Sequence, residues 1–105
     1  MSNAMRYARR GRPDANHRVI TAALEAVGCS VLDTSKLGGG KPDAVAFRIQ
    51  PGGRLGVWCF EFKVETGKVR DSQTAFAKTF CAPVYVVRSA AEAVRIVAAD
   101  WRDGR

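Results

Sequence analysis

At 105 residues the chain has room for one domain and one modest core. With 47% hydrophobic and 26% charged residues its composition is neither that of a disordered chain nor that of a fibre, and no apolar run approaches the length of a membrane span. Seventeen Lys and Arg against ten Asp and Glu leave a net charge of +7, which points to polyanionic partners, nucleic acid before anionic membrane.

Met1-Ser2-Asn3-Ala4 looks like an expression scar ahead of a native Met5. Residues 5–13 read as a basic arm, because Arg6, Arg9, Arg10, Arg12 and Arg18 surround a single acid, Asp14. One domain is expected over 14–101, with a short tail over 102–105. Its first helix is predicted from about Asp14 to Val27, where Val19, Ile20, Ala23, Leu24 and Val27 recur at helical spacing and Gly28 supplies the stop. A short strand from Cys29 to Leu32 leads into a polar, glycine-rich loop that ends at Gly38-Gly39-Gly40-Lys41-Pro42. From Asp43 to Ile49 apolar and other residues alternate, with Val45, Phe47 and Ile49 on one face. Gln50-Pro51-Gly52-Gly53 is a hairpin connection.

The strand predicted over Leu55–Val64 is almost continuously apolar up to Glu61, as expected of a central strand covered on both faces. Thr66-Gly67-Lys68 turns the chain. Asp71 is the expected N-cap of a helix whose inner face carries Gln73, Phe76, Ala77 and Phe80. Pro83–Val87 reads as another buried strand, and Ser89-Ala90-Ala91-Glu92 has capping-box spacing ahead of a last helix carrying Ala93, Val94, Val97 and Trp101. The expected class is α/β, a mixed β-sheet flanked by helices in the order αβββαβα, arranged as a three-layer sandwich. Cys29, Cys59 and Cys81 are widely spaced and odd in number, and the single His17 completes no Cys/His zinc pattern, so neither a disulfide scaffold nor structural zinc is expected. The chain reads as cytoplasmic, in a bacterium or a phage-infected host, with no membrane partner and no small-molecule cofactor.

Glu61 and Lys63 interrupt the apolar strand and, two residues apart, project to the same side of it. A carboxylate and an ammonium beside a core are costly unless they pair or bind something. The plain alternative is an exposed i,i+2 ion pair at a strand end. Antiparallel pairing about a turn near Gly52-Gly53 would set Asp43 roughly opposite Glu61 to Lys63. Two carboxylates converging at one sheet edge suit a hard divalent cation, and a neighbouring ammonium can hold a water or stabilise a phosphate oxygen.

Pro42-Asp43 followed by Glu61-Phe62-Lys63 resembles the PD-(D/E)xK nuclease signature, and the element order is similar to the restriction-endonuclease-like core of that superfamily. Gly38-Gly39-Gly40-Lys41-Pro42-Asp43, then Glu61-Phe62-Lys63, Gly67-Lys68-Val69 and Gln73, looks more narrowly like the VRR-NUC and Holliday-junction-resolvase-like branch, over about residues 14–97. The resemblance implies that Asp43 and Glu61 hold Mg²⁺ or Mn²⁺ with the backbone carbonyl of Phe62. It also implies that Lys63 positions the attacking water and that Gln73 orients a water or phosphate. Many relatives add a first-helix glutamate; here the candidates to complete the metal site are Asp14 and Asn16, while His17 reads as a surface histidine.

Arg9, Arg10, Arg12, Ser35, Lys36, Gly39, Lys41, Lys68 and Arg70 are the candidate DNA contacts. The implied function is a Mg²⁺-dependent DNA endonuclease producing 5′-phosphate and 3′-hydroxyl ends. It is expected to act as a homodimer, with branched DNA preferred to plain duplex. A non-catalytic nucleic-acid-binding module on the same fold and an RNA-directed nuclease are the competing functions.

Overall fold

A computed structural model describes residues 12–64 and 67–103, with side chains from 15 to 99. The expected scar and basic arm with Arg9 and Arg10, the side chains of Arg12, Asp14 and Trp101, Thr66 of the expected turn, and the end of the tail lie outside the described residues. The elements are α1 (Arg12–Ala26), β1 (Ser30–Asp33), β2 (Ala44–Ile49), β3 (Leu55–Phe62), α2 (Asp71–Thr79), β4 (Val84–Val87) and α3 (Ala90–Asp103). Four strands form one mixed sheet in the order β1-β2-β3-β4. The first three run antiparallel, and β4 pairs parallel to β3 after the α2 crossover.

The core lies between the sheet and the pair α1 and α3. Ile20 and Leu24 from α1 and Ala93 and Val97 from α3 bury against Ala44, Ala46, Trp58, Phe60 and Val87. On β2 the buried face is therefore the alanine face, while Val45 and Phe47 are half-buried and Ile49 is exposed on the other. Small side chains on β2 leave room for the rings of Trp58 and Phe60 from the neighbouring strand. The Trp58 ring lies where a Cβ on Gly56 would fall, which is why that strand position carries no side chain.

Several local expectations are corrected. Val19 faces outward, because the stripe of α1 that meets the sheet centres on Ile20 and Leu24. The first half of β3 is covered on one face only: Leu55 and Val57 are exposed, and burial on both faces begins at Trp58. On the edge strand β4 only Val87 is fully buried. The N-cap of α2 is Arg70, with Asp71 in the first turn, since the Gln73 side chain already accepts the Arg70 N–H at 2.9 Å. Ala77 and Phe80, expected on the inner face of α2, are exposed. Ser89 does accept the Glu92 N–H at 3.2 Å, but Glu92 reaches back to the Arg88 N–H rather than to Ser89.

The α2 helix lies on the sheet face opposite α1 and α3, and the glycine loop sets its position. Gly40 has φ +78°, and a Cβ there would overlap the Ser72 carbonyl oxygen in the first turn of α2. Gly38, at φ +73°, has open space around it. Gly38→Ala should therefore cost about 1 kcal/mol, the strain of an L residue in a left-handed conformation. Gly40→Ala should cost about 3 kcal/mol, because α2 must also move. Urea unfolding of the two variants measures the difference.

Candidate metal and nucleic-acid site

The site forms where β2 begins and β3 ends. Ala44 pairs with Phe60, and Asp43, the residue before β2, lies beside Glu61. The Asp43 N–H donates to the Phe60 carbonyl at 2.9 Å, and its Oδ2 accepts the Phe62 N–H at 2.8 Å. Asp43 thus supplies with its carboxylate the acceptor for the Phe62 N–H, while the Pro42 carbonyl accepts the Thr34 hydroxyl at 2.7 Å. Within an extended strand a residue's N–H and C=O point the same way, so the Phe62 carbonyl is directed to the edge that Asp43 occupies.

Glu61 is 3% exposed and lies on the side of the sheet that α2 covers. Gln73 Nε2 donates to Glu61 Oε2, and Lys63 Nζ stands 3.4 Å from the same oxygen. The ion pair of Glu61 and Lys63 does form, but it is buried rather than exposed at the strand end. Burial, then the Asp43 carboxylate beside it, push the Glu61 carboxyl up to about 7, with Lys63 pulling the other way. Two neighbouring carboxylates out of water favour either a shared proton or a cation.

Asp43, Glu61, Phe62 and Lys63 line an open cleft of about 350 Å³ together with His17, Ser35, Val64, Gly67, Lys68 and Arg70. Of the candidate DNA contacts, Ser35, Lys68 and Arg70 are therefore brought to the cleft. Lys36, Gly39 and Lys41 lie on the exposed loop beyond its lining, and the Lys41 ammonium sits 6.0 Å from the centre of the Phe76 ring. Arg88 donates to the carbonyls of Val64 and Gly67 and so holds both ends of the turn that delivers Lys68 and Arg70.

On α1, Asn16 Nδ2 donates to the Lys63 carbonyl at 3.0 Å, which ties the helix to the end of β3 beside the site. His17, expected as a surface histidine, lines the cleft instead. It is half-buried, packs edge-on against the Phe62 ring at 4.8 Å, and has Nε2 3.9 Å from Asp33 Oδ2. Asp33 in turn accepts both the hydroxyl and the N–H of Ser35, which hold its carboxyl below the ordinary range. Asp33-Thr34-Ser35 belongs to the polar loop after the first strand, and nothing local in the sequence links it to a histidine on the first helix.

Among the described residues no three His, Cys, Asp or Glu side chains converge as a metal cluster. The donors that do meet are the carboxylates of Asp43 and Glu61, all oxygen. That set fits a hard cation such as Mg²⁺, which binds through one or two carboxylates and keeps several waters. Comparison of the chain with protein-family models, with curated proteins and with solved structures gives no match.

Without a cation, the folded chain holds the Glu61 proton up to about pH 7, whereas the unfolded chain releases it near 4.5. The resulting stabilisation is fully present below 4.5 and is lost as pH rises to about 7. Glu61→Gln cannot ionise and escapes this loss. In chelator-treated protein its melting temperature should equal that of the wild type at pH 4.5 and exceed it by a few degrees at pH 8.

Proposed function

We propose that the chain is a metal-dependent DNA endonuclease that hydrolyses backbone phosphodiesters, with branched DNA such as a four-way junction or a flap as the preferred substrate and a homodimer as the working form. The observation that carries this reading is the meeting of Asp43, Glu61 and Lys63 in an open cleft rimmed by Lys68 and Arg70, with Gln73 donating to Glu61 from outside the cleft lining.

Asp43, Glu61 and the Phe62 carbonyl would hold Mg²⁺ or Mn²⁺, which supplies Lewis-acid stabilisation of the phosphate and a lowered pKa for water. Lys63 presents an ammonium at the floor of the cleft, where it can hold the attacking water or neutralise charge that develops on a phosphate oxygen. Gln73 lies outside the lining of the cleft. It holds Glu61 Oε2 and so fixes the carboxylate's orientation. Lys68 and Arg70 neutralise phosphates on either side of the scissile bond. A pure binding module gains little from two carboxylates facing a polyanion, which disfavours the non-catalytic alternative.

The test is cleavage of labelled four-way junction, flap and linear duplex, with and without Mg²⁺ or Mn²⁺. Asp43→Asn and Glu61→Ala should lower the cleavage rate by more than about 100-fold, beyond the 10–100-fold typical of an outer partner such as Gln73. Salt-sensitive DNA binding with no metal-dependent turnover above the Glu61→Ala level would establish the binding module instead.

A further inference from the structure

The crossover from β3 to β4 brings together two cysteines that are far apart in sequence. Cys59 lies on β3 on the side that α2 covers, and Cys81 follows the last turn of α2. The parallel register sets Val84 beside Cys59, and the three residues from Cys81 to Val84 span at most about 10 Å. The chain bends at Cys81 and Ala82, which shortens that span. Phe80, the neighbour of Cys81, lines a cavity of about 240 Å³ between α2 and the sheet together with Phe76 and Cys59 itself. Register and cavity therefore bracket Cys81 from both sides. Burial, and then the nearby Cys81, raise the Cys59 thiol, which puts the two sulfurs in electrostatic reach of each other. Both are unbridged, as is Cys29, which belongs to the core with Ile20 and Leu24.

We infer that Cys59 and Cys81 are a reversible thiol–disulfide pair, with Cys81 the point of entry for a low-molecular-weight disulfide and the closed bond pinning the end of α2 to β3. Exposure sets the order of events, because Cys81 is open to solvent and Cys59 is buried. The Cys81 thiolate attacks one sulfur of the small disulfide, forms a mixed disulfide and releases one small thiolate. Cys59 then attacks the Cys81 sulfur, loses its own proton and releases the second thiolate. Two protein thiols become one disulfide, and the small disulfide takes up their two electrons and two protons as two thiols.

A disulfide joins Cα atoms about 4.4–6.8 Å apart. The cavity beside Cys59 leaves its thiol room to turn, and α2 is lightly held, with Gln73 its one fully buried residue. The segment ending at Cys81 can therefore settle onto β3 with little loss of packing. Closing the bond restrains the helix that seats Gln73 on Glu61. The exchange needs neither DNA nor a cation, so it stands whether or not the cleft is catalytic.

The test incubates the reduced full chain with oxidised glutathione and maps its tryptic peptides. Peptides 55–63 and 79–88 should appear joined within a monomer and separate again on reduction. Cys59→Ala should stop at one glutathione held on Cys81. Cys81→Ser, at an exposed position, should give no joined peptides and serves should the buried substitution fail to fold. In the joined wild type, hydrogen exchange of the α2 amides should slow by about tenfold or more. A wild type that keeps glutathione on Cys81 without closing, a bond between two chains, a bond to Cys29, or a closed bond that leaves α2 exchange unchanged overturns the inference. None of these readouts involves cleavage, so a chain that cuts nothing can still close the bond, and one that cuts can fail to.

Discussion

One buried carboxylate organises this molecule. Glu61 would be an expensive residue in an apolar strand if it stood alone, and three elements are placed to make its burial tolerable. The same strand returns Lys63 to it two residues later, α2 brings Gln73, and the start of β2 sets Asp43 against it as a counterweight. Lys63 favours the ionised form and Asp43 opposes it. The net result is an acid group held near the middle of the pH range, where a cation or a proton can decide its state.

The glycine loop acts on the same group from a distance. Its job within the protein is close approach: Gly40 lets the loop lie against Ser72, and that contact seats the first turn of α2 so that Gln73 faces the sheet. Thr34 closes the near end of the loop by donating its N–H to the Asp43 carbonyl and its hydroxyl to the Pro42 carbonyl. On the far side of the cleft, Arg88 holds the turn that carries Lys68 and Arg70. The acidic pair and the basic rim are therefore fixed by separate sets of main-chain contacts, which keeps opposite charges in one cleft from collapsing onto each other.

Much of this was legible in the residues. The Pro51-Gly52-Gly53 connection fixed the hairpin register closely enough to bring Asp43 to Glu61, and the parity of Glu61 and Lys63 placed both on one side of β3. Periodicity could not say which face of β2 would be buried. Val45, Phe47 and Ile49 have the bulk of core residues, yet α1 and α3 close on Ala44 and Ala46 because Trp58 and Phe60 already fill the space. The same limit applies to Val19, which shares the helical period of α1 but not its line of contact. Asp71 looked like a cap by residue type, and the Gln73 side chain took that role at the Arg70 N–H instead. His17 depends wholly on tertiary placement: its neighbours Phe62 and Asp33 are remote in sequence.

The brevity of α2 has a consequence for how the site assembles. Nine residues are too few for a helix to persist in water by itself, and the face it presents to the sheet buries only Gln73 fully. Its formation is therefore coupled to the state of the acid it covers, since the Gln73 to Glu61 hydrogen bond is among the few contacts that hold it down. Anything that fixes the Glu61 carboxylate in place also favours the folded helix, and melting the helix opens Glu61 to solvent. The geometry of the cleft and the fold of α2 are in this sense linked through a single side chain.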